Sequence, residues 1–182
     1  MRYVLLALAG TALLAGCWAW DRTATGDPGP IDTAQGSFRG VGIGDSAARM
    51  HNVLGPLDPA GRNEGANPSG AGDLFEGPVS IPVSGPTYRY ESASFFVGEG
   101  DVIDYVIVTA PGSETERGVA IGDDLEDART AYPGLRCGRL NEGSEYRPYP
   151  ACTARVAPRR YVWFGGNPIS NITLGARPLG RF

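Results

Sequence analysis

Few residues in this chain could do chemistry, because it contains one histidine, three cysteines and no lysine. The lack of lysine excludes a Walker-type phosphate loop, a Schiff base and a Ser-x-x-Lys acylation site. His51 is the only candidate for acid–base chemistry, and we interpret it as a position on a solvated helix face. An enzyme would need carboxylates such as Asp101 and Asp104 to gather in a cleft. We therefore predict a protein that is not an enzyme and uses no cofactor and no metal.

Cys137 and Cys152 are predicted to form a disulfide. In an oxidising compartment, one disulfide is the best explanation of an isolated cysteine pair. The segment between them contains several glycines and prolines, so a cross-link would close a loop with little core of its own. Closing a loop of about 15 residues stabilises a fold by about 3 kcal/mol in the chain-entropy model.

The N-terminal segment indicates the compartment. The apolar run over residues 3–17 is too short to span about 30 Å of hydrocarbon and is typical of an export signal. Its last four residues, Leu-Ala-Gly-Cys, resemble the lipobox of bacterial lipoproteins, in which the cysteine is acylated. The resemblance implies a signal peptide at residues 1–16 and a lipid anchor, such as palmitate, on Cys17. Because Trp18 is not an aspartate, it also implies the periplasmic face of the outer membrane in a Gram-negative cell.

The mature chain is predicted to begin with a flexible tether. Residues 17–36 show no hydrophobic periodicity, so we expect them to link the lipid anchor to the folded part. The formal net charge of −4 argues against a nucleic-acid partner. Arg159 and Arg160 are the only adjacent basic pair, which is too little for a phosphate-binding patch.

A seven-residue motif occurs twice in the remaining sequence. Residues 39–45 (Arg-Gly-Val-Gly-Ile-Gly-Asp) return as residues 117–123 with one substitution, which suggests a duplicated unit. Asp45 and Asp123 each precede a short amphipathic pattern, so they are predicted to cap two helices. The apolar spacing of the helices predicts that one face of each is buried.

Each predicted helix is followed, after a glycine- and proline-rich loop, by a β-hairpin. Residues 94–97 and 102–108 form the first predicted hairpin, and residues 161–164 and 169–174 form the second. The sequence therefore predicts an α+β fold of two tandem repeats, each a short helix packed on a small antiparallel sheet. The predicted repeats cover residues 37–112 and 113–182, the second including the disulfide loop.

The glycine-rich helix start, the Leu-Gly-Pro helix stop and the hairpin pattern Ile-x-x-Ile-x-Val resemble two groups of proteins. One is the small outer-membrane lipoproteins of the SmpA/OmlA type, and the other is the tandem-repeat β-lactamase inhibitory proteins. The resemblance implies either a protein-binding or assembly module of the cell envelope or an inhibitor of a secreted or periplasmic hydrolase. Those repeats carry an extra helix before the glycine motif, which residues 27–38 and 109–116 cannot supply.

One face of the first hairpin suggests where a protein partner could bind. If Val106 and Val108 face the helix, Tyr105 and Ile107 project from the opposite side of the sheet. Apolar residues on an outer sheet face are typical of an interface, so these two residues form the predicted interaction surface. Alternatively, the long loop at residues 56–86 folds over them. The leading hypothesis is thus a non-enzymatic envelope lipoprotein that binds the membrane through its anchor and another protein through its sheet.

Overall fold

The computed structural model describes residues 28–55, 62–63, 85–90, 92–140 and 149–178. These residues form twelve strands and two short helices. In chain order they are β1 Pro30–Asp32, β2 Ser37–Phe38, β3 Val41–Gly42, α1 Ala47–Leu54, β4 Arg62–Asn63, β5 Thr87–Tyr90, β6 Ala93–Val97, β7 Ile103–Val108, β8 Glu114–Thr115, α2 Leu125–Ala131, β9 Arg136–Leu140, β10 Tyr149–Ala157, β11 Arg160–Gly166 and β12 Ile169–Gly175.

A single antiparallel sheet contains both predicted hairpins. Its strand order is β4-β5-β6-β7-β12-β11-β10-β9. The hairpins β6–β7 and β11–β12 meet where β7 pairs with β12, with Val106 opposite Leu174 and Val108 opposite Ile172. The two halves of the chain therefore share one continuous sheet.

The predicted α+β fold class is wrong, because the structure is mostly β, with 48% of the described residues in strands and 14% in helices. The helices are only eight and seven residues long, and they do not each cover a separate small sheet. Segments that the sequence analysis left without strands, including both arms of the disulfide loop, add strands to the sheets. Short strands separated by glycine and proline turns produce the same composition as loops, which explains the error.

A second, four-stranded sheet has the order β3-β2-β1-β8. Strand β1 lies inside it, antiparallel to β2 and parallel to β8. Ile31 of β1 is buried, as are Phe38 of β2 and Val41 of β3. The predicted tether 17–36 therefore extends too far along the chain, because residues 30–32 already form a strand of the fold.

The repeated motif forms the same turn in both halves. The Asp45 carboxylate accepts a hydrogen bond from the backbone N–H of Gly42 at 3.0 Å, and the Asp123 carboxylate accepts one from Ala120 at 2.7 Å. The backbone carbonyl of each aspartate then accepts a 2.8 Å hydrogen bond from the start of a sheet strand. The donors of these two bonds are the N–H groups of Ile103 and Ile169. The duplication is thus visible as a turn that joins each helix to the large sheet.

The helix caps lie one residue later than the sequence predicts. Ser46 is the N-cap of α1, where its hydroxyl accepts from the Arg49 N–H at 3.2 Å. Asp124 is the N-cap of α2. Asp45 and Asp123 do not cap the helices because their carboxylates close the preceding turns.

The centre of the large sheet is buried on both faces. The helices and the small sheet pack on one face, where Met50 and Ala128 are completely buried with Phe95 and Phe164. Side chains of the opposite face are buried as well. They are Ser94, Phe96, Tyr105, Ile107, Ala151, Trp163 and Thr173.

Candidate functional site

Tyr105 and Ile107 do not form the exposed patch that the sequence predicts. Their side chains are 0% and 4% exposed. Tyr105 lies opposite Phe96 on β6, and burial raises the pKa of its phenol. The prediction failed because the burial of a sheet face depends on distant parts of the chain. The alternative prediction is that the loop at residues 56–86 folds over these two side chains, and most of that loop lies outside the described residues.

The histidine is part of an aromatic cluster rather than a solvated position. His51 is half-buried, and its Nδ1 lies 3.2 Å from the Tyr90 hydroxyl. That hydroxyl donates to the Gly55 carbonyl at 3.3 Å, so it accepts from the histidine. The His51 ring also contacts the edge of Tyr88, with 5.0 Å between ring centroids. Burial, and secondarily Tyr88, raise the pKa of Tyr90. The cluster connects the end of α1 to β5.

The two carboxylates proposed for an enzyme are in different surroundings. Asp104 forms an ion pair with Arg177 at 2.9 Å, whereas Asp101 is an exposed turn residue with a φ of 60°. Within the described ranges, no group of three or more histidine, cysteine or acidic side chains could hold a metal ion. None of the helices described for this chain is long and apolar enough to cross a membrane.

A partly buried polar cluster that the sequence did not predict connects the end of β1 to the second half of the chain. The Glu116 carboxylate accepts from both the backbone N–H and the hydroxyl of Thr33, at 2.8 and 2.5 Å. The same hydroxyl lies 3.3 Å from the Tyr132 hydroxyl, and the Arg117 guanidinium lies 4.7 Å from the centre of the Tyr132 ring. Burial raises the pKa of Tyr132, although hydrogen bonds to Thr115 and Thr33 oppose this. These contacts hold the segment that follows β1 against the second half of the chain.

Arg160, the second residue of the adjacent arginine pair, connects the two halves. The Arg160 guanidinium donates to the backbone carbonyls of Gln35 at 3.0 Å and Ile43 at 3.1 Å. It lies in a cleft of about 390 Å³ that Asp104 also lines. Arg160 therefore holds the start of the fold against β11 and is not part of an anion-binding pair with Arg159.

The predicted disulfide between Cys137 and Cys152 is confirmed, and it is a cross-strand bond. The cysteines lie directly opposite each other on β9 and β10, with their Cα atoms 4.0 Å apart. Cys152 is completely buried, whereas Cys137 is half-buried and its sulfur accepts a 3.2 Å hydrogen bond from Arg129 Nε. The bond attaches the last strand of the sheet to its only neighbour among the described strands.

The distance between the Cα atoms of this pair also shows in which direction the backbone N–H and C=O groups of β9 point. Opposed residues that do not exchange hydrogen bonds lie about 4.5 Å apart, and those that do lie about 5.5 Å apart. The 4.0 Å separation therefore identifies Cys137 and Cys152 as a non-hydrogen-bonded pair. It follows that the N–H and C=O groups of Cys137 and Arg139 point away from β10. We call this side of β9 the outer edge.

Two arginines on β9 are next to the outer edge. Arg136 lies on the sheet face that carries Trp163, and Arg139 lies on the face that carries the disulfide. Both side chains are exposed, and neither takes part in the ion pairs found among the described residues. This strand was not predicted from the sequence. In Arg136–Leu140 two arginines flank a cysteine and a glycine, so the stretch has no alternation of apolar and polar residues that would indicate a strand.

Cys17, the predicted lipidation site, lies outside the described residues. The comparisons with known proteins found no matching family model, no matching curated protein and no matching solved structure.

Proposed function

We propose that this chain is a non-enzymatic cell-envelope lipoprotein that binds another protein through the outer edge of β9. The observation that carries the proposal is the row of outward backbone groups at Cys137 and Arg139. A strand edge of this kind is a template on which an extended segment of another protein can pair.

The predicted anchor supports the cellular part of the proposal. An acylated Cys17 would hold the protein at a membrane surface, where stable attachment needs more than one acyl chain or a second signal. The disulfide fits an oxidising compartment outside the cytoplasm. We assign the protein to the cell envelope, on the periplasmic face of the outer membrane if the cell is Gram-negative.

The disulfide is also what makes the edge suitable for binding. A terminal strand has only one neighbour, so it would fray without a further restraint. The Cys137–Cys152 bond holds the middle of β9 against β10, so a partner need not order the strand on binding.

The anchor is tested with the full-length chain expressed in a bacterium that exports lipoproteins. We expect mass spectrometry to find an acylated mature N-terminus at Cys17 and membrane fractionation to find the protein with the membranes. The Cys17→Ser variant should lose both properties. An unmodified, freely soluble wild-type product would refute the lipoprotein assignment.

The binding edge is tested with a photo-crosslinking residue placed at Arg136 in the same cells. A proline at Arg139 removes an N–H that points outward, so it should block strand pairing and leave the β9–β10 hydrogen bonds intact. The matched control, Arg139→Ala, keeps that N–H. We expect a cross-linked product that Arg139→Pro abolishes and that Arg139→Ala, which removes the charge but keeps the N–H, weakens without abolishing.

A second crosslinker site controls for chance encounters. Val53 is exposed on α1, away from β9, so the same crosslinker there should not give that product. A product that survives Arg139→Pro, or that forms equally from Val53, would contradict binding at the outer edge. Thermal melting of each purified variant checks that the fold is retained.

A further inference from the structure

We infer that the segment received by the outer edge of β9 is acidic and carries two carboxylates three residues apart. The inference rests on the proposed function, since it concerns the partner of the same edge. It adds the chemistry by which that partner is selected.

The spacing follows from the positions of the two arginines. Arg136 and Arg139 are three residues apart, so their side chains leave opposite faces of the strand. In an antiparallel pair, directly opposed residues project from the same face, so each arginine would have one cross-strand neighbour on the incoming segment. Acidic residues at both neighbouring positions give the spacing acid-x-x-acid.

The charge of the surroundings favours carboxylates at these positions. Neither arginine has an ion-pair partner among the described residues, whereas Arg129 nearby pairs with Glu126 at 3.2 Å. The whole chain carries a net charge of −4, whereas the charged side chains of β9 are both positive, so opposite charge favours an acidic segment at this strand. Charged side chains on an edge strand also discourage its pairing with a second copy of the same strand.

The probe for this inference is an N-acetylated, C-amidated hexapeptide, Val-Glu-Thr-Thr-Glu-Val, with a fluorescent label. The control peptide replaces both glutamates by glutamine. From the energies of opposed charge pairs, we expect the acidic peptide to bind about two- to thirtyfold more tightly than the control. The difference should shrink as the salt concentration rises.

A charge-swapped variant distinguishes recognition of the peptide's charge at these two positions from non-specific binding of the peptide to the protein. In Arg136→Glu/Arg139→Glu the preference should reverse, so that a lysine peptide of the same length binds more tightly than the acidic one. Fluorescence anisotropy measures each affinity, and amide shifts in the NMR spectrum check that β9 is the strand affected.

The outcomes distinguish this inference from the proposed function. If both peptides shift the β9 amides with equal affinity, the edge binds strands but the acidic specificity is refuted. If neither peptide binds, and Arg139→Pro also leaves the cellular cross-link unchanged, both proposals are wrong. If the acidic peptide shifts amides elsewhere in the protein, the inference is wrong.

Discussion

Removal of the cross-strand disulfide is the most direct test of how the sheet is held together. We would replace Cys137 by serine, because it is half-buried, and Cys152 by alanine, because a hydroxyl would be buried there. The expected result is a folded protein with a lower free energy of unfolding and a frayed β9.

The expected loss in the free energy of unfolding follows from the length of the loop that the disulfide closes. The cysteines are separated by 15 residues, and a loop of this size corresponds to about 3 kcal/mol in the chain-entropy model. With a urea dependence of about 2 kcal/mol per molar, the denaturation midpoint should fall by about 1.5 M. The wild type measured with the disulfide reduced should give a similar midpoint.

Hydrogen exchange shows where the stability is lost. The amide of Gly138 faces β10 and should exchange faster in the variant, whereas that of Phe164 on β11 should keep most of its protection. A midpoint shift below about 0.5 M, or an equal loss of protection across the sheet, would refute the reasoning.

Three further predictions concern the repeated turn, at Asp123 and Gly42, and the buried Tyr132. Asp123→Ala should lower the free energy of unfolding by about 1–3 kcal/mol in a denaturant titration, because the partly buried Ala120 N–H loses its acceptor. The control is Glu126→Ala, which removes an exposed ion pair and should change the free energy of unfolding by less than about 1 kcal/mol. Gly42→Ala should lower the melting temperature strongly, because the Cβ of the new alanine would overlap the Gly36 carbonyl oxygen. A variant as stable as the wild type would contradict the close packing of this turn. The raised pKa of Tyr132 means that its contribution to stability is present below pH 10 and is lost above it, as the unfolded chain releases the phenolic proton first. Denaturant titrations at pH 8 and pH 11 should therefore show the advantage of the wild type over Tyr132→Phe at the lower pH only.

The local structure could be predicted where short patterns decide it. The hairpin strands predicted at residues 94–97, 102–108, 161–164 and 169–174 correspond to β6, β7, β11 and β12. The turn residues between them and their alternating apolar side chains are local signals. The disulfide could be predicted for a similar reason, because the mature folded part has only two cysteines to pair.

Contacts between distant segments could not be predicted in the same way. The pairing of β7 with β12 joins residues about 66 positions apart, for example Ile107 and Thr173, and no local pattern specifies it. Strands of two or three residues, such as β1 and β8, exist only because a partner strand is present. The burial of Tyr105 and the terminal position of β9 among the described strands both depend on which strand lies where in the sheet. This is why the burial of Tyr105 and Ile107 could not be recognised from the sequence.

The interior position of β1 affects how the protein can be shortened for laboratory work. An expression clone that started at residue 37, where the sequence suggests that folding begins, would delete the strand between β2 and β8. It would also take away Thr33, leaving the Glu116 carboxylate without its two donors. A clone that starts at residue 28 keeps both, so its soluble yield should exceed that of the shorter version.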